Sequence, residues 1–380
     1  MMMKPLKRLM NIRMKKNKPT SLYIHIPFCE HICDYCDFPK LQYFHLFAEK
    51  YLKMLQKELL ETVGDNYHLQ TIYIGGGTPT SLEDPYFEEL LLMLEPYSKE
   101  VKEYTVEANP ESLSLTKIKL MKKHGVNRVS LGVESTDNEV LKDINRHHSY
   151  DDVIKAFSNL RDNDITNINV DLILGLPNTN ISHLQKDLER LLKLKPTHLS
   201  TYSLTVHPHT MFYLRHIEEP EDDYSRTLYD YVHNTLSNNG FIHYEISNFS
   251  VPGYESKHNY VYWKNEEYYG IGLGACGYIG GHRYANTVNL DKYLNGKNTR
   301  KIEIVSKKDN MEYLIMLRLR TIEGIDLDEF FSLFGFDLYI QKKNIIDNYI
   351  SSGFLLLKNR KLKPTYEGMM ILDKIILDLI

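Results

Sequence analysis

From Ser21 onward the chain alternates between short β-branched or aromatic runs and longer stretches whose apolar residues recur at helical spacing. Runs at 22–26, 71–74, 103–107, 128–133, 167–172 and 198–204 predict six strands. Between them the pattern predicts helices over 44–62, 83–95, 114–124, 137–160 and 181–194, several closing on a Gly or Asn stop signal. Helices of that length between single strands imply parallel pairing through right-handed crossovers. The expected fold class is therefore α/β, a partial (β/α)6 barrel over 19–210, with chemistry carried by the loops that follow the strands.

Past residue 210 the rhythm changes. An acidic linker, Glu218-Glu219-Pro220-Glu221-Asp222-Asp223, leads into a helix and then an aromatic, glycine-rich stretch at 241–284, so 211–305 is expected to be an α+β extension. Residues 306–380 are expected to form a small helical, winged-helix-like domain. Its wing would be the hairpin Gly353-Phe354-Leu355-Leu356-Leu357 with Lys361-Leu362-Lys363-Pro364-Thr365. No aromatic–basic recognition face accompanies it, so protein packing rather than nucleic acid is the expected role.

Composition sharpens this only in part. A chain of 380 residues with 42% hydrophobic and 25% charged residues is that of an ordinary globular protein. A net charge of −4 gives no general pull toward nucleic acid or an anionic membrane. No apolar run of about 18 residues occurs, so no stable membrane insertion is expected. Residues 1–18 hold seven basic side chains and no acidic one, without the apolar core of a secretory signal. They read as a disordered arm, with Met10 and Met14 as alternative starts. Four cysteines, three of them within eight residues, argue against a disulfide framework and for a reducing, cytoplasmic setting in which thiolates bind metal.

Those three cysteines carry the chemistry. Cys29, Cys33 and Cys36 lie in Tyr23-Ile24-His25-Ile26-Pro27-Phe28-Cys29-Glu30-His31-Ile32-Cys33-Asp34-Tyr35-Cys36, at the end of the first strand. A four-iron cluster normally takes four cysteines. With three local, one iron stays open for an external ligand, the arrangement that lets a reducible 4Fe–4S cluster bind and cleave S-adenosylmethionine inside a barrel. A structural zinc with His31 or His25 as fourth ligand is the other reading, although zinc ligands usually come as two separated pairs. A redox pair at Cys33 and Cys36 would leave Cys29 unexplained.

The loops after the next strands fit a cofactor wall. Gly75-Gly76-Gly77-Thr78-Pro79 allows close backbone approach and has no phosphate-binding lysine after it; a tight turn is the plainer reading. Glu107, Glu134 and Asp171 stand at or near the ends of consecutive strands. Each would serve equally as a helix cap, but their recurrence favours hydrogen bonding to ribose hydroxyls and an amino group.

On these residues the chain resembles the oxygen-independent coproporphyrinogen III oxidase group of radical S-adenosylmethionine proteins, and within it the HemW-type heme chaperones. The resemblance runs from about Ser21 to the C-terminus. It includes Glu107-Ala108-Asn109-Pro110, Asn127-Arg128-Val129-Ser130-Leu131-Gly132-Val133, Asp171-Leu172-Ile173 with Gly175-Leu176-Pro177, His258-Asn259-Tyr260-Val261-Tyr262-Trp263, and Leu319-Arg320-Thr321 with Gly324-Ile325-Asp326. The oxidases carry a fourth cysteine where this chain has Phe38, as the chaperone branch does. The resemblance implies that Tyr23, Tyr35, Gly76, Gly77, Thr78, Glu107, Glu134, Arg146 and Asp171 line an S-adenosylmethionine pocket and that His258 ligates heme. On its residues alone, the His258 block reads instead as an aromatic core segment. Three positions depart from the family: Glu134 stands for a usual Gln, His207 for a common Glu and Cys276 for a usual His.

The function implied is a heme chaperone with a 4Fe–4S cluster and S-adenosylmethionine, passing heme to acceptor proteins such as respiratory hemoproteins. Oxidative decarboxylation of coproporphyrinogen III, or a radical enzyme of another substrate, is the alternative. Whether the chain is an enzyme is left open.

Overall fold

The structure, a computed structural model, describes residues 18–380. The basic arm expected over 1–18 lies outside the described residues, except for Lys18, whose ammonium pairs with Asp65 at 2.7 Å.

Six strands run parallel and side by side in chain order: β1 (Ser21–Ile26), β2 (Thr71–Gly76), β3 (Glu103–Ala108), β4 (Arg128–Glu134), β5 (Asn167–Leu174) and β6 (His198–Ser203). Side chains alternate faces along a strand. One face carries Leu22, Ile24, Ile72, Ile74, Val106, Val129, Leu131, Val170 and Leu199, all fully buried. The other face, read through the registers Tyr23↔Tyr73↔Thr105↔Arg128 and Asn169↔His198, is polar. The apolar face packs under the crossover helices in one large core, and the polar face is turned inward.

The segment 211–305 completes the same sheet. β7 (Ile242–Glu245) and β8 (Asn248–Ser250) add antiparallel beside β6, and β9 (Tyr269–Ile271) adds parallel beside β1, giving the order β9-β1-β2-β3-β4-β5-β6-β8-β7. Phe249, Ile271 and Tyr293 of this segment sit in the same hydrophobic cluster as β1–β6.

The crossover helices are α1 (His45–Thr62), α2 (Asp84–Leu94), α3 (Leu115–Lys123), α4 (Asn138–Asp143), α5 (Tyr150–Asp162) and α6 (Ile181–Lys193). The single helix expected over 137–160 is thus two. Ser149 starts α5 with a reciprocal capping box to Asp152, and Asn145 before it takes a left-handed φ of 60°. The apolar periodicity runs on through the break, which is why the pattern reads as one helix. The break matters because it holds Arg146.

Two further helices follow, α7 (Asp222–Asn238) and α8 (Lys257–Trp263). The Glu103 carboxylate at the start of β3 accepts from the backbone N–H groups of Lys257 and His258 at 2.8 and 2.9 Å. That pins α8 across the N-terminal end of the barrel and floors it.

The C-terminal residues form a second core around Ile315, Phe330, Ile346, Leu362 and Ile375. The expected hairpin is present, Leu355–Lys358 with Lys361–Pro364, turned by Asn359 and Arg360 with φ of 50° and 61°. No helix among the described residues is long and apolar enough to cross a membrane.

Candidate functional site

The polar interior opens into a cavity of about 410 Å³ at the C-terminal ends of the strands. Cys29, Cys33, Cys36, Tyr35, Gly76, Gly77, Thr78, Glu107, Glu134, Arg146 and Asp171 all line it. The expected residues from six separate stretches of chain therefore meet on one concave surface.

The cysteine loop is held by its backbone. Tyr43 N–H donates to the Cys29 carbonyl at 2.8 Å, Leu41 N–H to Pro27 at 2.7 Å and Asp34 N–H to Ile144 at 3.2 Å. The glycine run lies directly against it, with Gly77 N–H donating to Ile26 and Thr78 N–H to Phe28 at 2.8 and 2.7 Å. A Cβ on Gly77 would stand 2.7 Å from the Phe28 carbonyl oxygen, and one on Gly75 would stand 2.6 Å from the Glu107 carboxyl carbon. Glycine is required here by close approach, and the run is more than a tight turn.

Burial pushes the Cys29 thiol up to about 12, partly offset by its hydrogen bond from Thr78, and burial pushes Cys36 up to about 11. Without bound metal these thiols hold their protons; a cationic centre is what makes them thiolates. The Arg146 guanidinium reaches the Cys33 sulfur at 3.5 Å, adding positive charge at the loop.

The same arrangement speaks against zinc. The His25 ring is occupied by Tyr23 Oη at 3.0 Å and the Pro39 carbonyl at 2.7 Å. His31 stacks on His147 with ring centres 3.7 Å apart. The alternative to a single ion is a four-iron cluster, which would need no histidine here. Cys29, Cys33 and Cys36 with the glycine cradle fit the larger group.

Four carboxyl groups line the cavity: Asp37 next to Cys36, and Glu107, Asp171 and Glu134 at the strand ends. Glu107 accepts from Tyr73 Oη at 2.7 Å and from Gly76 N–H at 2.9 Å, and burial pushes it up to about 7. Asp171 accepts from Ser130 Oγ at 3.2 Å and Asn169 Nδ2 at 2.8 Å, and burial raises it too. Glu134 sits at a register shift in β4 with φ of 64°, a bulge that aims its carboxyl inward. Burial pushes it up to about 7 against the opposing pull of Arg146.

The Glu134 shift has a defined sign. A carboxyl in the unfolded chain titrates near 4.3. The folded value is higher, so between about pH 4.5 and 7 the folded protein holds the proton and the unfolded chain releases it, and the stability this group contributes is lost as pH rises. The stability of the cofactor-free protein relative to Glu134→Gln is expected to fall by up to about 3 kcal/mol from pH 4.5 to 8 in urea unfolding. A difference independent of pH would refute this.

Two expected residues do not line the cavity. Tyr23 lies on the inward face of β1 but is engaged with His25. His258 is fully buried in the floor, with Nδ1 2.8 Å from Thr71 Oγ1 and Nε2 2.8 Å from Tyr262 Oη. Both ring nitrogens are taken and burial lowers its pKa to about 3, so the expected heme ligand is a clamp between α8 and β2 in this arrangement. Cys276 is exposed and also lies off the cavity lining.

Several lining residues were not anticipated: Tyr73, Asn109, Arg128, Asn169, Tyr202 and Asn259. Arg128 is the notable one, 2% exposed with an unpartnered Nε. The signal was available, since polar residues recur at every second position of β4 and β5, which is unusual for strands of a buried parallel sheet.

Residues 23–191 match the radical SAM superfamily, and residues 305–371 match the HemN C-terminal domain. The fold superposes on the coproporphyrinogen III oxidase HemN of Escherichia coli with a TM-score of 0.82, covering 95% of this chain and 90% of that one at 20% identity. Proteins named heme chaperone HemW are similar along most of the length. That of Lactococcus lactis is 42% identical over 82% of this chain and 84% of its own, and that of Bacillus subtilis is 36% identical over 92% and 96%. With this barrel, this cysteine loop and relatives of that closeness, the chain belongs to the HemW family of the radical SAM superfamily.

Proposed function

We propose that this protein is a heme chaperone that holds a 4Fe–4S cluster on Cys29, Cys33 and Cys36, binds S-adenosylmethionine in the cavity beside it, and passes heme to acceptor proteins. The observation that carries the reading is the cavity itself: its wall brings together three thiols, the strand-end carboxyl groups of Glu107, Glu134 and Asp171, and the guanidinium groups of Arg128 and Arg146, around a volume of about 410 Å³. That is room for one nucleoside-sized ligand. Glu107, Glu134 and Asp171 offer acceptors for an amino group and ribose hydroxyls, and the glycine ridge offers backbone edges. The bound pair supplies one-electron cofactor chemistry; the chain orients it and keeps water out. Phe38 follows the third cysteine by two residues and stands 64% exposed at the rim, where the oxidases place a further cysteine. The names of the HemW relatives support heme as the cargo.

The test is anaerobic. Reconstituted protein is titrated with heme and, in parallel, supplied with coproporphyrinogen III, S-adenosylmethionine and reductant. Stoichiometric heme uptake, transfer to an apo-hemoprotein and no protoporphyrinogen is the expected outcome. Porphyrinogen turnover without heme uptake would overturn it.

A further inference from the structure

We propose that Arg128, assisted by Asn259, is the receptor for a small organic carboxylate at the closed end of the cavity, apart from the cysteine end. The site stands on the cavity and does not depend on which cargo the protein carries.

Charge is the first argument. Arg128 opens β4 at the end of the barrel that α8 floors, and it lines the cavity while only 2% exposed. Its Nε has no hydrogen-bond partner, and among the described residues no carboxylate pairs with the guanidinium. A buried cation without a counter-charge is costly. The carboxyl groups of the interior are committed elsewhere: Glu107 to Tyr73 and Gly76, Asp171 to Ser130 and Asn169, and Glu103 to the backbone of α8. Two histidines of the floor offer no compensation. His198 is engaged by Asn169 and Tyr244 and His258 by Thr71 and Tyr262, and burial, then the Arg128 charge itself, hold both neutral. Thr105, opposite Arg128 on β3, has a buried hydroxyl that also lacks a partner. The closed end thus holds a cation and an unused hydroxyl, and an anion would satisfy both needs.

Position is the second. A strand rises about 3.3 Å per residue, so β4 covers about 20 Å between Arg128 and Glu134. The other guanidinium of the wall, Arg146, stands beside Cys33. A ligand that fills an open iron must present its donor groups at that cysteine end, which leaves Arg128 for something else. Asn259 reaches the same cavity from α8, and among the described residues its side-chain amide bonds to no protein group. The guanidinium fork takes the two oxygens of a carboxylate in parallel, and a neutral amide can donate to one of them. One cation balances a monoanion, whereas a phosphate dianion would leave a net negative charge beside Glu107 and Asp171. A nucleoside-sized ligand takes most of the cavity, so the acid is a small one.

The experiment titrates full-length, cluster-loaded protein anaerobically with propionate, with and without saturating S-adenosylmethionine. Binding is read by saturation-transfer NMR and stability by thermal unfolding, for the unmodified chain, Arg128→Gln and Arg128→Lys. Propionate is expected to bind in both conditions and to raise Tm, as a ligand of the folded state does. Arg128→Gln should bind it at least about tenfold more weakly, the low end for a lost hydrogen bond to a charged group, with Arg128→Lys between the two. In buffer free of carboxylates Arg128→Gln should melt no lower than the unmodified protein, because the change removes an unpaired buried charge. A lower Tm there, or failure of Arg128→Gln to fold, would mean that the protein's own groups already hold the guanidinium, and overturns the proposal. Equal propionate binding by Arg128→Gln also overturns it. So does displacement of propionate by S-adenosylmethionine, which would give the site to the cofactor, or an equal Tm rise with chloride or inorganic phosphate. None of these outcomes bears on heme uptake, so the chaperone reading is tested separately.

Discussion

Cys33→Ala, reconstituted anaerobically with iron and sulfide, is expected to fold and to carry no four-iron cluster. With three local cysteines there is no spare ligand: Phe38 occupies the position where a fourth would stand, and Cys276 lies off the cavity. Removing one thiolate leaves two, and a cubane held by two protein ligands is lost. The fold should not notice. Loop shape depends on main-chain bonds at Asp34, Leu41 and Tyr43, and the Cys33 carbonyl that accepts from Cys36 N–H survives the change. The side chain is partly exposed and makes no apolar core contact. Its removal should change the unfolding free energy measured in urea by no more than about 0.5 kcal/mol. Iron content and visible absorbance check the first half, circular dichroism the second. A full complement of iron in Cys33→Ala would sink the ligand assignment.

Gly270→Ala should have the largest effect on stability. A Cβ at this position would lie 1.7 Å from the Cys276 carbonyl oxygen and 2.4 Å from its carbon. Both are backbone atoms, which cannot swing aside as a side chain end would, so β9 or the strand after it must move. β9 is the edge that covers β1, with Gly270 opposite Tyr23, and the Tyr284 hydroxyl bonds both the N–H and the carbonyl of Gly270 at 3.0 Å. Displacing it breaks that pairing, loosens the core around Ile271 and disturbs the strand that leads into the cysteine loop. A loss of about 3–5 kcal/mol is expected, at the upper end for a single substitution. Urea unfolding measures it, and a loss below about 1 kcal/mol would show that the strands part more easily than the packing implies.

The six parallel strands and most of the crossover helices were legible because their signals are local. Apolar residues at period two or 3.6, with stop residues between, survive in a linear reading. The cysteine spacing was legible for the same reason: three thiolates on one short loop need no tertiary knowledge to be read as a metal centre. The three strands that extend the sheet at its two ends, β7, β8 and β9, were not, because strands of three or four residues carry too little periodicity to stand out of an aromatic, glycine-rich stretch.

What the amino-acid order determined by itself was therefore the barrel, the cysteine loop and the strand-end carboxyl groups, each a property of neighbours along the chain. Tertiary structure alone decided how His258 is used. A histidine in an aromatic block looks the same whether its nitrogens face a ligand or a Thr71 hydroxyl 187 positions away. It also decided that α4 and α5 part to turn Arg146 toward Cys33, 113 positions earlier, and that His207 comes to rest beside Asp37 at the mouth. Pairings at that separation depend on how the sheet curls and which residues its closure brings together, and nothing in local periodicity encodes that.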